Sequence, residues 1–214
     1  MGTPKGVMLT HRNILSVVEY LCPLYPINEK HDAISYLPLS HIYERTVQYC
    51  HIYLGCTTYY IDNLGAIIDT MAEIKPKHFT SVPRLIEKVY HTIVRKGQKL
   101  TGFKKTIFFW ALRLAERYDE TKRHNGWFYR QKLKIADKLV YTKWREVFGG
   151  NLELIISGGA AIQPRLTKIF TAIGIQLSEG YGLTETSPVI ASNSLTLGKL
   201  KSGTVGVVMD NQEV

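Results

Sequence analysis

Short apolar runs alternate with helical stripes along most of this chain, and no other feature constrains its fold as strongly. Runs with the length of strands lie at 33–39, 57–61, 78–82, 152–156 and 189–192, and another follows Gly174. Between them, apolar residues recur at three- and four-residue spacing, as they do in Leu64, Ile67, Ile68, Met71 and Ile74. Strand and helix patterns in alternation predict the α/β class, with a mostly parallel sheet flanked by helices.

Capping residues predict where some of these helices begin and end. The first stripe, over 14–21, is preceded by Thr10 and Asn13, either of which could cap the helix. The stripe over 85–93 is followed by Gly97, a residue type that commonly ends a helix. We therefore expect helices that start near residue 11 and stop near residue 97.

The alternation stops between residues 98 and 148, where two or three basic helices with aromatic stripes are expected, broken at 124–126. Residues 95–147 hold fifteen Lys and Arg against five Asp and Glu, so the net charge of +9 belongs to this block. We predict a basic α-helical insertion over 95–150. Its charge indicates either a solvated helical face or attraction to an anionic partner, which could be a membrane surface, a phosphorylated cofactor or nucleic acid.

Composition and cysteine usage exclude several classes of protein. Hydrophobic residues make up 45% of the chain and charged residues 21%, which argues against disorder. Three cysteines without a CxxC pair argue against a disulfide framework and a zinc site, and favour a reducing compartment. The chain opens without an apolar signal, and its longest apolar run, 107–112, is too short to span a membrane. We expect a cytoplasmic protein, at most peripheral to a membrane.

Two glycine-containing turns are candidates for ligand binding. In Gly2-Thr3-Pro4-Lys5-Gly6, small residues would let backbone N–H groups approach a phosphate that the lysine neutralises, although a plain Gly-Pro turn explains the pattern equally well. Ser157-Gly158-Gly159-Ala160 follows an apolar strand, where a flat ring could lie against the backbone, or where a tight turn alone could need glycine.

The segment Tyr181-Gly182-Leu183-Thr184-Glu185 carries a stronger chemical signal. Within five positions it offers an aromatic ring, a flexible residue, a hydroxyl and a carboxylate. The hydroxyl could bond a phosphate oxygen, the carboxylate could hold Mg²⁺ beside that phosphate, and the ring could stack on a purine. This combination favours a nucleotide site over a simple capped turn.

These three segments, in this order, resemble the adenylate-forming (AMP-forming) acyl-CoA synthetase superfamily, and its long-chain fatty-acid–CoA ligases in particular. Residues 2–7 are similar to the second half of that family's phosphate loop, and 181–185 is its YGLTE signature. Residues 37–45 resemble the segment that carries the acyl-pocket histidine, and 157–160 the glycine loop beside adenine. The basic block resembles a region that distinguishes the long-chain branch.

The resemblance implies an enzyme that uses ATP and Mg²⁺ to join a fatty acid to coenzyme A through an acyl-adenylate. It implies that Gly158, Gly159 and Ala160 contact adenine, with Tyr181 and Gly182 on the other side. It also implies that Thr184 bonds the α-phosphate and Glu185 binds Mg²⁺. Thr3 and Lys5 belong to the phosphate loop by the same resemblance, and His41 would lie where the carboxylate meets the α-phosphate, unless it is a buried core histidine.

The resemblance also implies that residues 1–214 are the central part of the large N-terminal AMP-binding domain, without the small C-terminal lid domain. We therefore expect the isolated chain to be inactive and to self-associate through uncovered sheet edges. Two alternatives stay open at this point. One is an adenylating enzyme for medium-chain, aromatic or amino acids; the other is a non-catalytic helical module that binds anionic lipid. Nucleic acid is the less favoured anionic partner, because the aromatic residues have core-like helical spacing.

Overall fold

The structure is a computed structural model that describes residues 6–120, 125–194 and 196–213. Within these residues, helices and strands alternate as far as β3 and again from β4 onwards. The strands are β1 (Asp32–Ser35), β2 (Thr57–Tyr60), β3 (His78–Ser81), β4 (Leu154–Ser157), β5 (Gln176–Tyr181), β6 (Ala191–Ser192) and β7 (Val207–Val208). The helices are α1 (His11–Leu21), α2 (Ile42–Leu54), α3 (Ile67–Ile74), α4 (Pro83–Gln98), α5 (Gly102–Glu116), α6 (Trp127–Ala136), α7 (Thr142–Glu146) and α8 (Pro164–Ala172).

The main sheet has three parallel strands, and two antiparallel strands continue it on one side. β3, β4 and β5 are paired in parallel, β6 and β7 follow β5 in antiparallel pairing, and β1 pairs with β2 in parallel. The β1–β2 pair adjoins β3, because the Tyr36 hydroxyl lies 3.0 Å from Oγ of Ser81. The predicted α/β class, a mostly parallel sheet flanked by helices, is confirmed.

The helices of the basic block share one hydrophobic core with the sheet. Ala111 and Ala115 of α5 are fully buried, as is Ala136 of α6, in the same cluster as Phe79 and Ile155 from the strands. The chain makes a short π-helical turn between α6 and α7, at Asp137–Tyr141. The block thus covers the sheet as the connection between β3 and β4; that it is an insertion stays a prediction.

Two predicted helix boundaries are confirmed. Thr10 caps α1: its Oγ1 accepts the backbone N–H of Asn13 at 3.2 Å. α4 ends at Gln98, one residue after Gly97 and close to the predicted end, although Gly97 itself is helical. Packing, and not helix termination, requires this glycine: a Cβ at Gly97 would lie 2.2 Å from Cε1 of Phe108, where α4 and α5 meet.

The predicted strand over 33–39 ends at Ser35, and an unpredicted helix, α2, follows shortly after it. Pro38 has no N–H to give to a sheet, and its carbonyl instead accepts the N–H of His41 at 2.9 Å, in the turn that starts α2. The helix escaped prediction because its buried face is largely polar: Glu44, Thr46, Gln48 and His51 are all buried.

Among the described residues, no helix combines the length and the apolar character that crossing a bilayer requires. Cys22, Cys50 and Cys56 are free thiols.

Candidate functional site

The carboxyl ends of β4 and β5 open into a single cleft. The loop after β4 brings Gly158 and Gly159 to this cleft. The end of β5 and the turn that follows it bring Tyr181, Gly182 and Thr184. Because parallel strands present their carboxyl ends at one edge of the sheet, two of the three predicted segments meet here. Of the third, Thr3 and Lys5 lie outside the described residues.

The glycine loop is shaped by the ring of Tyr43, from α2. A Cβ at Gly158 would lie 2.9 Å from Cζ of that ring, so the ring packs closely on the glycine backbone. The Tyr43 hydroxyl donates to the carbonyl of Ile156 at 3.2 Å, which fixes the ring in place. Burial raises the pKa of Tyr43 well above its usual value, so the phenol stays neutral and can keep donating.

The turn after β5 also requires glycine. A Cβ at Gly182 would lie 1.6 Å from the carbonyl oxygen of Pro188, which leaves no room for any other residue. The next residues form a single 3₁₀ turn, Thr184–Thr186, in which Oγ1 of Thr186 accepts the N–H of Leu183 at 2.9 Å. The ring of Tyr181 is 48% exposed and is therefore accessible to a ligand.

This turn separates the hydroxyl of Thr184 from the carboxylate of Glu185. Thr184 lines the cleft, whereas Glu185 lines an adjoining polar recess with Arg12, Asn13 and Asn211. Both residues are exposed. A ligand that contacted both would have to lie across the rim between the cleft and the recess.

His41 stands at the entrance of the cleft as the N-cap of α2. Its Nδ1 accepts the backbone N–H of Tyr43 at 3.2 Å. With Nδ1 an acceptor, the neutral ring carries its proton on Nε2. The side chain is exposed, so His41 is not a core histidine.

A second recess lies beside the cleft and shares His41, Tyr43 and Gly159 with it. Ala160 lines this recess and not the main cleft, so the structure assigns the last residue of the glycine loop to a different hollow from the first two. Arg84, from the first turn of α4, lines the same recess and is also exposed to solvent.

The deep part of the cleft is apolar, and sequence reasoning did not identify it. Its wall comes from the end of α1 and one face of α2: Leu21, Cys22, Val47, Cys50 and Leu54. We call these five residues the interior of the cleft, and we call His41, Gly158, Gly159, Tyr181, Gly182 and Thr184 its mouth. One signal could have revealed the interior: His41 and Gly55 flank 42–54 as a capping residue and a left-handed glycine do.

Polar groups that border the interior are buried and satisfied by one another. The Tyr25 hydroxyl bonds Ser178 at 2.9 Å and Ser192 at 2.5 Å. The Glu44 carboxylate accepts from Ser35 at 2.5 Å and from Gln48 at 2.7 Å, and burial raises its pKa. These bonds hold α2 and the strands together beneath the cleft.

Two buried imidazoles meet at one end of the interior. Nε2 of His51, which lines the cleft, lies 3.0 Å from Nε2 of His78 in β3. Burial lowers the pKa of His51 to about 4. Burial, and then the nearby His51 and His31, lower that of His78 to about 3. Both rings are therefore neutral at physiological pH, and neither can act as a cationic anchor for a carboxylate.

Within the described part of the chain, no group of three or more His, Cys, Asp or Glu side chains could hold a metal ion by itself. A metal at this site would need oxygen ligands from a substrate in addition to protein. Glu185 is the candidate protein ligand, because its exposed carboxylate lies next to the cleft.

Comparison with known proteins agrees with this geometry. The family described as AMP-binding enzyme matches residues 1–214. The peroxisomal long chain acyl-CoA synthetase 6 of Arabidopsis thaliana is 35% identical over 195 residues, which cover 89% of this chain and 26% of that protein. The human long-chain-fatty-acid–CoA ligase ACSBG2 is 32% identical, over 94% of this chain and 32% of that protein. The chain thus spans about a quarter to a third of these relatives.

Solved structures share the fold at lower identity. The N-terminal domain of FACL13 from Mycobacterium tuberculosis superposes with a TM-score of 0.63 at 18% identity, over 98% of this chain and 42% of that one. The long-chain-fatty-acid-CoA ligase FadD1 from Archaeoglobus fulgidus gives 0.63 at 17% identity, over 97% of this chain and 34% of that one. With the cleft at the strand ends and the match over its whole length, the chain belongs to the family of AMP-binding enzymes.

Proposed function

We propose that the protein carrying this chain is a long-chain fatty-acid–CoA ligase, which converts a fatty acid, ATP and coenzyme A to acyl-CoA, AMP and pyrophosphate. One observation carries the proposal: a single cleft joins a mouth with glycines and hydroxyls to an interior lined by apolar side chains. The mouth suits a nucleotide and the interior suits an alkyl chain. The names of the curated relatives point to the same substrate class.

The reaction has two steps, because a carboxylate is a poor electrophile. Its oxygen first attacks the α-phosphorus of ATP, and the bond to the bridging oxygen breaks to release pyrophosphate. The thiol of coenzyme A then attacks the acyl carbon, loses its proton and expels AMP. Catalysis of both steps depends on placing the reactants and neutralising phosphate charge.

We assign the residues of the mouth to the nucleotide and the carboxylate. Gly159 offers exposed backbone against which adenine can lie, next to Gly158, which the Tyr43 ring covers on one side, and with Ala160 at the edge of the loop. Tyr181 offers an exposed ring on the other side, and Gly182 permits the turn that carries it. Support comes from the lining of the cleft and of the recess beside it.

The hydrogen-bond donors in this assignment are Thr184 and His41. The Thr184 hydroxyl would donate to an α-phosphate oxygen, and Nε2–H of His41 would donate to the reacting carboxylate or to the phosphate. The tautomer of His41 supports this role, since Nδ1 is already engaged as an acceptor. Thr3 and Lys5 keep their proposed place in the phosphate loop.

We assign Mg²⁺, where the reaction uses it, to Glu185. Mg²⁺ usually takes one or two carboxylates together with water and substrate phosphates, so a single exposed carboxylate beside the cleft fits the ion. When bound, the ion would neutralise phosphate charge, and Glu185 would hold it at the rim.

The organisation of the whole protein is part of the same proposal. Residues 1–214 would be the central part of an N-terminal AMP-binding domain, with 95–150 as a basic insertion. We propose a cytoplasmic location, with contact to membranes at most peripheral. We also propose that the isolated chain self-associates along β2, an edge strand on which Tyr60 is exposed.

Pyrophosphate release by the full-length protein tests the proposed function. The protein is given ATP, Mg²⁺ and a panel of carboxylic acids: long-chain and medium-chain fatty acids, aromatic acids and amino acids. We expect the largest kcat/KM with long-chain fatty acids, and acyl-CoA only after coenzyme A is added. Rapid release with an aromatic or amino acid and none with fatty acids would contradict the substrate class and leave an adenylating enzyme of another branch.

A further inference from the structure

The outer face of α6 and of the π-helical turn that follows it carries an apolar stripe that the core does not use. Trp127 and Phe128 are 66% and 76% exposed, and Ile135 and Leu139 are 52% and 48% exposed. The rings of Trp127 and Phe128 contact each other edge to face, with centroids 4.8 Å apart. Positions 128, 135 and 139 are seven and four residues apart, so they lie along one side of the helix.

The same segment has a separate face that packs into the protein. Ala136, Val140, Tyr141 and Trp144 are buried in the main hydrophobic cluster. The exposed stripe is therefore additional to the face that folding requires. An apolar stripe left in water beside a satisfied core face indicates a binding surface.

Basic residues surround this stripe, with little to neutralise them. Residues 127–146 contain six Lys and Arg and two Asp and Glu. Asp137 is already bonded to Arg145 at 2.6 Å. In the part of the chain that the structure describes, Lys132, Lys134 and Lys138 are exposed and form no ion pair.

We propose that this face of α6 and the following π-helical turn, defined by Trp127, Phe128, Ile135 and Leu139 with Lys132 and Lys138, docks on the surface of an anionic lipid bilayer. The apolar side chains enter the boundary between headgroups and acyl chains, where tryptophan is favoured. The lysines contact anionic headgroups. The partner is a bilayer and not a nucleic acid, because Ile135 and Leu139 have nothing to bind on a phosphate backbone, and the two aromatic rings pack against each other.

The surface deepens the peripheral membrane contact that is part of the proposed function, but it is separate from the ligase site, since none of its residues lines the cleft. If the protein is a fatty-acid ligase, docking holds it where its substrate is dissolved. Vesicle binding is measured without turnover, so failure of this inference and failure of the proposed ligase activity are distinguishable.

The test is co-sedimentation of the full-length protein with vesicles of phosphatidylcholine alone, and of phosphatidylcholine mixed with phosphatidylglycerol. We expect binding to the anionic vesicles only, weakened by added salt. The double variant W127A/F128A should bind about tenfold more weakly, because it loses apolar area at the interface. The double variant K132E/K138E should bind on the order of thirtyfold more weakly.

Matched controls distinguish binding through this face from nonspecific hydrophobic binding and from nonspecific attraction by exposed lysines. I52A/Y53A removes two exposed apolar side chains from α2, and K30E/K88E reverses two exposed lysines elsewhere; both should bind the anionic vesicles like the wild type. Equal losses in these controls, or wild-type protein that does not bind the vesicles, would overturn the proposal. Binding of a DNA or RNA oligonucleotide that K132E/K138E abolishes, with no vesicle binding, would overturn it in favour of nucleic acid.

The fluorescence emission of tryptophan tests directly whether Trp127 enters the bilayer. Trp127 is mostly exposed, whereas Trp144 is buried. Anionic vesicles should shift the emission of the wild type to shorter wavelength, and W127F should keep binding while losing most of the shift. Binding with an unchanged Trp127 emission would place the contact elsewhere and refute the proposal.

Discussion

The mouth and the interior of the cleft differ in how the chain builds them. The mouth is made from turns at the ends of β4 and β5 and from one N-cap, so most of its residues lie in short segments with local sequence patterns. The interior is made where α1 packs near α2, and Cys22 and Cys50 come together from distant parts of the chain. Under the proposed function, the local turns would position the reacting groups, and tertiary packing would select the acid.

This difference gives a rule for variants. Substitutions at the rim of the mouth should change the rate of adenylation for every acid, with little effect on folding, because those side chains are exposed. Substitutions in the interior should change which acids are used, with some cost in stability, because those side chains are buried.

The largest effect is expected for Glu185→Ala in the full-length protein. Loss of the proposed metal ligand should lower pyrophosphate release about a hundredfold or more for all acids. The melting temperature should stay close to that of the wild type, because Glu185 is exposed. The control is Glu19→Ala on α1, an exposed glutamate that should leave the rate unchanged. An unchanged rate in Glu185→Ala would remove this residue from the metal site.

A smaller and more selective effect is expected for Val47→Phe. Val47 is buried and lines the interior, so a larger ring there shortens the space available to an alkyl chain. The ratio of kcat/KM for a long-chain acid to that for a short-chain acid should fall about thirtyfold. The measurement is pyrophosphate release with the two acids in parallel.

Ile52→Phe is the matched control for Val47→Phe, because Ile52 lies on the exposed side of the same helix. It should keep the wild-type ratio. An equal fall for both acids in Val47→Phe would show that the mouth and the interior are not separable. That result would contradict the rule drawn above.

The fold was predictable where the buried faces of its strands and helices are apolar, because apolar residues then recur with the period of a strand or a helix. The strand and helix stripes that led to the α/β class are confirmed because those faces are buried against one another, as in Phe79 and Ile155. α2 was missed because its buried face carries Glu44 and Gln48, which are satisfied by hydrogen bonds that only the folded chain supplies. Periodicity cannot reveal a polar core.

In the candidate site, the turns were predictable from the sequence, whereas the position of each side chain around them was not. The glycine loop and the turn after β5 have sequence patterns tied to local geometry: Gly182 is needed because Pro188 lies against it. The sequence did not indicate that Glu185 and Ala160 would line recesses outside the main cleft, because successive side chains around a turn point in different directions. The roles assigned to these residues stay predictions.

The smallest effect concerns the two buried histidines beside the interior, and it depends on pH. In the folded chain, burial keeps the pKa of His51 at about 4 and that of His78 at about 3, while an unfolded chain has histidines near 6.5. Below pH 6.5 the unfolded state therefore binds more protons than the folded state. The free energy of unfolding should fall as pH falls from 6.5, by up to about 1.4 kcal/mol per pH unit for each of the two histidines, and their contribution is complete above 6.5.

Urea unfolding at pH 7 and at pH 5.5 measures this contribution, with His51→Gln as the variant. Glu44 contributes with the opposite sign, since burial raises its pKa, so the comparison is between the two proteins and not within one curve. His51→Gln should lose less stability than the wild type over this interval, whatever its stability at pH 7. His91→Gln, at an exposed position on α4, should follow the wild type. If His51→Gln kept the full loss, the acid sensitivity would belong to groups other than His51.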